Sequence, residues 1–172
     1  PPVPLRLFFC KNCSTVQLGE TVDPKYLFQE YFWVTGTSTT ANTYSHTFTK
    51  NVLSRTTTKR PSVIEIASND GTFLKPVLSK GFSNLLGVDP AKNIAEIANR
   101  SGINTLPEFW NSLLADKITN DNGQAKVVFA RNVIPHVSEL LDVIKGIEII
   151  LKEDGVGIIE FHDAGKILKE LH

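Results

Sequence analysis

Residues Val63–Leu74 read VIEIASNDGTFL. An apolar run holding one acid, Glu65, breaks abruptly into Ser68-Asn69-Asp70-Gly71, and apolar residues resume at Phe73. The pattern predicts a buried strand over Val63–Ala67, a small polar turn, and a helix over Gly71–Leu78. Nucleotide-binding α/β folds place their ligands at such turns. A phosphate-gripping turn uses two or three glycines so that backbone N–H groups reach the phosphate. This turn has one, and Asp70 would repel phosphate.

Outward from this stretch the strand–helix alternation continues. NLLGVD gives a second strand ending at Asp89, and Pro90 stands at a helix start running to Gly102. KVVFA gives a third strand. SELLDVIKGIEIILKEDG reads as an amphipathic helix closed near Gly155, VGIIEF as a fourth strand, and DAGKILKELH as the start of another helix. Near-continuous apolar strands alternating with helices predict an α/β fold with a doubly wound, Rossmann-like parallel sheet over residues 61–172. Its ligands bind outside the carboxyl ends of the strands.

Three features fall at those ends. They are the Glu65–Gly71 turn, Asp89, and ARNVIPHV directly after the third strand. A carboxylate inside an apolar strand, as at Glu65, points to function. An acid about 20 residues beyond the first turn is placed to take the hydroxyls of a ribose. An acid there and little glycine at the turn favour a nucleoside over a dinucleotide. S-adenosylmethionine, a nucleoside with a sulfonium and no phosphate, fits. Each piece alone has a plainer reading. Asn69-Asp70-Gly71 is equally a turn with a helix cap, and Asp89-Pro90 an ordinary strand-to-helix junction. Phe109-Trp110 reads first as packed aromatics and His136 as a surface cap.

Residues 1–60 differ from the rest. LRLFFCKNCSTVQL predicts a hairpin, Leu5–Phe9 with Val16–Leu18, around the only two cysteines, Cys10 and Cys13. This C-x-x-C pair is half of a four-ligand zinc site, or a redox dithiol. DPKYLFQEYFW has helical spacing with Asp23 as cap, and a Thr/Ser-rich segment follows in which Tyr44–Leu53 is helical. No independent core is expected there. The 172 residues carry 41% hydrophobic and 21% charged side chains and a formal net charge of zero, with no basic stripe for nucleic acid. There is no run of membrane-spanning length and no signal peptide, so a cytoplasmic location is expected. The chain contains no methionine and ends inside a helical pattern, which reads as a piece of a longer protein.

EIASNDGTFL, LLGVDPAKNIAEIA, PEFWN and FARNVIPHV together resemble the sugar C-methyltransferases that act on nucleotide-linked deoxysugars. PLRLFFCKNCSTVQLGETVDPKYLFQEYFWVTGTS resembles the same family's zinc-binding N-terminal region. The resemblance implies S-adenosylmethionine as cofactor and a nucleotide-sugar substrate, C-methylated through an enolate. Ala67, Ser68, Asn69, Asp70 and Gly71 would wrap the methionine moiety below Glu65. Asp89 would take the ribose, Pro90 would shape the adenosine pocket, and Phe109 and Trp110 would flank the adenine. Asn132 and His136 would face the transferred methyl and the sugar. Tyr31 and Ser38 match a segment that closes over the substrate. Cys10 and Cys13 would hold structural zinc with a second cysteine pair. The chain departs from the family at Trp33, Thr35 and Phe161-His162. The family's distal Tyr and Glu-His are absent, so the base is His136 or lies outside this chain. Methyl transfer to oxygen or nitrogen and a non-catalytic binding module are the alternative readings. A nicotinamide-dependent oxidoreductase is disfavoured by the single-glycine turn.

Overall fold

The structure, a computed structural model, describes residues 2–170. The hairpin forms as predicted, with β1 (Leu7–Phe9) antiparallel to β2 (Val16–Leu18) and both cysteines free in the turn. All six strand residues are exposed, so the hairpin adds nothing to the core. Helix α1 (Pro24–Phe28) starts where Pro24 needs no N–H partner and the Asp23 carboxylate accepts the Lys25 N–H at 2.9 Å. Helix α2 (Thr39–Leu53) begins five residues before the expected Tyr44, because Ser38 Oγ caps it by accepting the Ala41 N–H.

The main sheet has five parallel strands: β3 (Val63–Ile66), β4 (Leu85–Val88), β5 (Thr105–Leu106), β6 (Ala125–Arg131) and β7 (Leu151–Glu160). Their order is β5-β4-β3-β6-β7. The chain steps outward from β3 to β5 and then returns to the other side of β3. The β3/β6 boundary is therefore the switch point, and a crevice opens there at the strands' carboxyl ends. Helices α2, α3 (Lys75–Ser79) and α4 (Lys92–Arg100) cover one face, where Phe48, Val52, Phe73, Leu74, Val77 and Ala98 pack against Val63, Val127 and Phe129. On the other face α5 (Ser112–Asn122) and α6 (Leu140–Ile150) bring Trp110, Ala115, Ile118 and Val143 against Ile64, Ile66, Val88 and Val128. Each fully buried aliphatic side chain contributes about 1.5–3 kcal/mol. Helix α2 lies upstream of the boundary expected at residue 60, yet Phe48 and Val52 sit in the sheet's core.

Four elements differ from expectation. The helix after the Ser68–Gly71 turn starts at Lys75 rather than Gly71, because Gly71 is left-handed at φ +75° and Pro76 fits only a first turn. Helix α6 ends at Ile150, not near Gly155. Gln124 Nε2 donates to the Ile149 and Leu151 carbonyls at the helix end, and Leu151 already pairs with Ala125. Residues 152–155 bulge out to meet the buried Lys126, whose ammonium donates to the Asp154 carbonyl at 2.6 Å. Strand β5 and helix α5 were not anticipated. The C-terminal helix, α7, covers Ala164–Glu170; Leu171 and His172 lie outside the described residues. Among the described residues no helix is long and apolar enough to cross a membrane.

Candidate functional site

The turn after β3 is built from alternating left-handed residues: Ala67 at φ 54°, Asn69 at 49° and Gly71 at 75°. Non-glycine residues rarely hold positive φ, and such strain collects at functional sites. The Ser68 N–H continues the ladder to the Val88 carbonyl. Its hydroxyl is buried with no hydrogen-bond partner and lies against Gly87, where any Cβ would overlap it. Gly87 went unread in the sequence, although a glycine inside an apolar strand marks such a close approach. Asp70 is 3% exposed and spends both oxygens within the turn. Oδ1 accepts the Thr72 hydroxyl at 2.6 Å and its N–H at 3.3 Å, and Oδ2 accepts Lys75 Nζ at 3.2 Å. Asp70 therefore holds the turn's shape.

Asp89 follows β4 and is 6% exposed. Oδ2 accepts the Asn69 N–H at 2.8 Å and Oδ1 the Ala91 N–H at 2.9 Å. The two bonds fix the carboxylate plane and leave each oxygen a free lone pair, the arrangement that receives two vicinal hydroxyls. Burial raises its pKa, against the two N–H donors that favour the anion.

Glu65 sits one strand-step below, buried, with Oε2 unpartnered. Burial pushes its pKa well up; the Arg131 charge opposes this, and Asp89 and Asp70 add to it. Below an unfolded value near 4.5 both states are protonated and the contribution to stability is complete. Above it the unfolded chain ionises first, and stability is lost as the pH climbs through the raised folded value. Glu65→Gln is expected to remove that slope. Thermal melts should show equal stability at pH 4 and a more stable variant at pH 8. A difference independent of pH would contradict this.

A charged cluster beside Glu65 was not foreseen. Arg131 and Glu160 are paired in register at the ends of β6 and β7. Glu160 Oε1 accepts Arg131 Nε at 2.9 Å and pairs with its Nη2 at 2.8 Å, and Glu160 Oε2 accepts the Tyr44 hydroxyl at 2.6 Å. The guanidinium stacks 3.3 Å from the Phe73 ring centroid, with Phe48 and Tyr44 at 5.2 and 5.4 Å. Two opposite charges each closing an apolar strand, FAR and IIEF, were the readable signal.

Asn132 is exposed and left-handed at φ 53°, and its N–H donates to the Glu160 carbonyl. His136 is exposed in a short 3-10 turn, Ile134–His136, on the same loop. Pro90 is half-buried beside Asp89, and Tyr31 is half-buried against α4. The neighbours Phe109 and Trp110 part company. Phe109 is half-buried, whereas Trp110 is in the core, its indole N–H donating to the Val143 carbonyl at 3.2 Å and its ring against Gly146. Trp110→Phe should cost about 2 kcal/mol in denaturant unfolding through the lost bond and volume, and leave S-adenosylhomocysteine affinity unchanged. A fall in affinity at undiminished stability would return Trp110 to the adenine. Among the described residues no group of three His, Cys, Asp or Glu side chains is arranged to hold a metal ion. The Cys13 thiol pKa is lowered, chiefly by hydrogen bonding to Thr15.

A glycine-poor turn at the switch point of a parallel sheet, facing an acid on the next strand, defines a nucleoside-binding α/β domain. The chain belongs to the methyltransferase domain family, whose model matches residues 42–171. It is 27% identical over 167 residues to the C-methyltransferase NovU of Streptomyces niveus, covering 96% of this chain and 40% of that protein. The chain thus spans less than half the length of that relative. In fold it is similar to the PH0226 protein from Pyrococcus horikoshii OT3, at TM-score 0.64 and 22% identity over 87% of this chain and 68% of that one. It is also similar to the plantazolicin methyltransferase BpumL, solved in complex with SAH, at TM-score 0.59 and 14% identity over 74% and 49%.

Proposed function

We propose that this chain binds S-adenosylmethionine at the carboxyl ends of β3 and β4 and methylates a carbon of a nucleotide-linked keto-deoxysugar. The observation that carries the cofactor reading is Asp89, with one backbone N–H on each oxygen and a free lone pair on each. The buried, unpartnered Ser68 Oγ and Glu65 Oε2 also fit a polar ligand. When bound, S-adenosylmethionine supplies an electrophilic methyl on a sulfonium. Glu65, Ala67, Ser68, Asn69, Asp70 and Gly71 shape the methionine end. Asp89 and Pro90 take the adenosine, with Phe109 rather than the buried Trp110 available at the adenine edge. The sugar reading is supported by the NDGTFL, VDPAKN and ARNVIPHV motifs and by the resemblance to a C-methyltransferase along 96% of this chain.

C-methylation needs a carbon nucleophile. His136, exposed on the loop beyond β6, takes the proton from the carbon next to the sugar's keto group. The electron pair released forms the enolate, whose carbon would take the methyl as the methyl–sulfur bond breaks, its electron pair returning to sulfur and S-adenosylhomocysteine leaving. Asn132 and Tyr31 orient the sugar and donate to the enolate oxygen. Residues 1–60 serve in this reading as substrate cover and zinc-binding region. Cys10 and Cys13 are half of a four-ligand set.

The test is to incubate the full chain with a nucleotide-linked 4-keto-deoxysugar in D₂O, first alone and then with methyl-labelled S-adenosylmethionine. Exchange of the proton next to the ketone and label on that carbon support the reading. Label on oxygen or nitrogen, or no transfer, overturns it.

A further inference from the structure

Residues 31–34 link the cap of α1, Gln29, to a 3-10 turn at Thr35–Thr37 and belong to no helix or strand, yet backbone groups from Gln29 to Thr35 are satisfied at every second residue. The Gln29 carbonyl accepts the Lys92 N–H at 3.2 Å. The Tyr31 N–H donates to Asn93 Oδ1 at 3.1 Å, and the Tyr31 carbonyl accepts Asn93 Nδ2 at 2.7 Å. The Trp33 carbonyl accepts Asn69 Nδ2 at 3.0 Å, and the Thr35 N–H donates to Asn69 Oδ1 at 2.8 Å. Two carboxamides thus make four of these five backbone bonds. A carboxamide offers an N–H donor and a C=O acceptor side by side, as a peptide group does.

The two asparagines belong to the cofactor's own surroundings. Asn69 lies in the left-handed turn and gives its backbone N–H to Asp89, so one residue contacts the ribose-facing acid and the segment. Asn93 stands in the first turn of α4, directly after the Asp89–Ala91 corner. Just beyond the segment, Gly36 lies so close to Asp70 Oδ2 and Thr72 Oγ1 that any Cβ would overlap the carboxylate. Phe32 at 90% exposure and Trp33 at 50% stay open to solvent, while Tyr31, Val34 and Thr35 are half-buried. Its placement rests on backbone bonds, not on a packed core.

We propose that Asn69 and Asn93 are positioning residues that register the acceptor-side segment 29–38, and Tyr31 with it, against the cofactor turn. This rests on the reading of that segment as the cover over the substrate. Asn93 is an exposed helical residue, so Asn93→Ala should fold normally and gain helix propensity. Asn69→Gly keeps the left-handed backbone and the N–H to Asp89 and removes only the side chain.

In the unliganded full chain, amide exchange read by NMR is expected to accelerate at least about tenfold at Tyr31 in Asn93→Ala and at Thr35 in Asn69→Gly. Asn93→Asp keeps an acceptor for the Tyr31 N–H and loses only the donor to the Tyr31 carbonyl, so its Tyr31 exchange should fall between the parent and the alanine variant. With the keto-deoxysugar nucleotide, Asn93→Ala should raise the acceptor KM about tenfold while the S-adenosylhomocysteine Kd stays within about threefold. A general loss of stability would move both. Unchanged protection at Tyr31 in Asn93→Ala, unchanged protection at Thr35 in Asn69→Gly, or an acceptor KM unmoved by a released segment would each overturn the proposal. Failure of the wild-type chain to bind S-adenosylhomocysteine would count against the function and not against the clasps, which amide exchange decides by itself.

Discussion

Asp89→Ala is expected to weaken S-adenosylhomocysteine binding by about 100-fold or more. Each hydrogen bond from a ribose hydroxyl to a carboxylate contributes roughly 1.5–3 kcal/mol, and two are lost together. A loss of about 3–6 kcal/mol corresponds to about 10²–10⁴ in Kd. The substitution also leaves the Asn69 and Ala91 N–H groups without their acceptor, so the turn that faces the methionine end loosens. Circular dichroism should show the sheet intact, because Asp89 lies beyond the last paired residue of β4. Affinity within about threefold of wild type would remove Asp89 from the ribose. In the parent chain, affinity should rise from acid towards neutral pH. The burial that raises the Asp89 pKa delays ionisation, and the carboxylate is the form that accepts both hydroxyls.

His136→Ala is expected to slow methyl transfer by about 10²–10⁴, the usual contribution of a general base. The residue is exposed in a short 3-10 turn and its side chain has no recorded hydrogen bond, so melting temperature should be unchanged. S-adenosylhomocysteine affinity should also hold. Loss confined to kcat, with proton exchange next to the ketone lost in parallel, identifies the base. Exchange that survives at the parent rate assigns the proton to another group and leaves His136 as a contact to the sugar.

The strands that frame the site were legible because their signals are local. VIEI, LLGV and KVVFA are apolar runs bounded by turn residues, and Asp89 announces itself by where it falls. What was not legible depends on distance in sequence. Strand β5 is two residues, Thr105 and Leu106, too short to carry a period. Helix α5 mixes apolar and polar residues too evenly to show a clear face, and its cap, Asn111 accepting the Leu114 N–H, was the available signal. The end of α6 is set by Gln124, which arrives from the preceding loop. Trp110 looked like half of an aromatic pair at the site. The Val143 carbonyl and the room beside Gly146, both on α6, draw it into the core instead. The Asn69 and Asn93 bonds to Trp33, Thr35 and Tyr31 join residues 34 to 62 positions apart, and no pattern in either stretch points to the other.

The site as a whole stands or falls on whether the glycine-poor turn and Asp89 hold a phosphate-free nucleoside. Calorimetric titration of the folded chain with S-adenosylhomocysteine asks this directly. Saturable one-to-one binding, lost in Asp89→Ala and not reproduced by a nicotinamide dinucleotide, is the expected result. No heat of binding from a chain whose melting transition shows it folded, or preference for the dinucleotide, would contradict it.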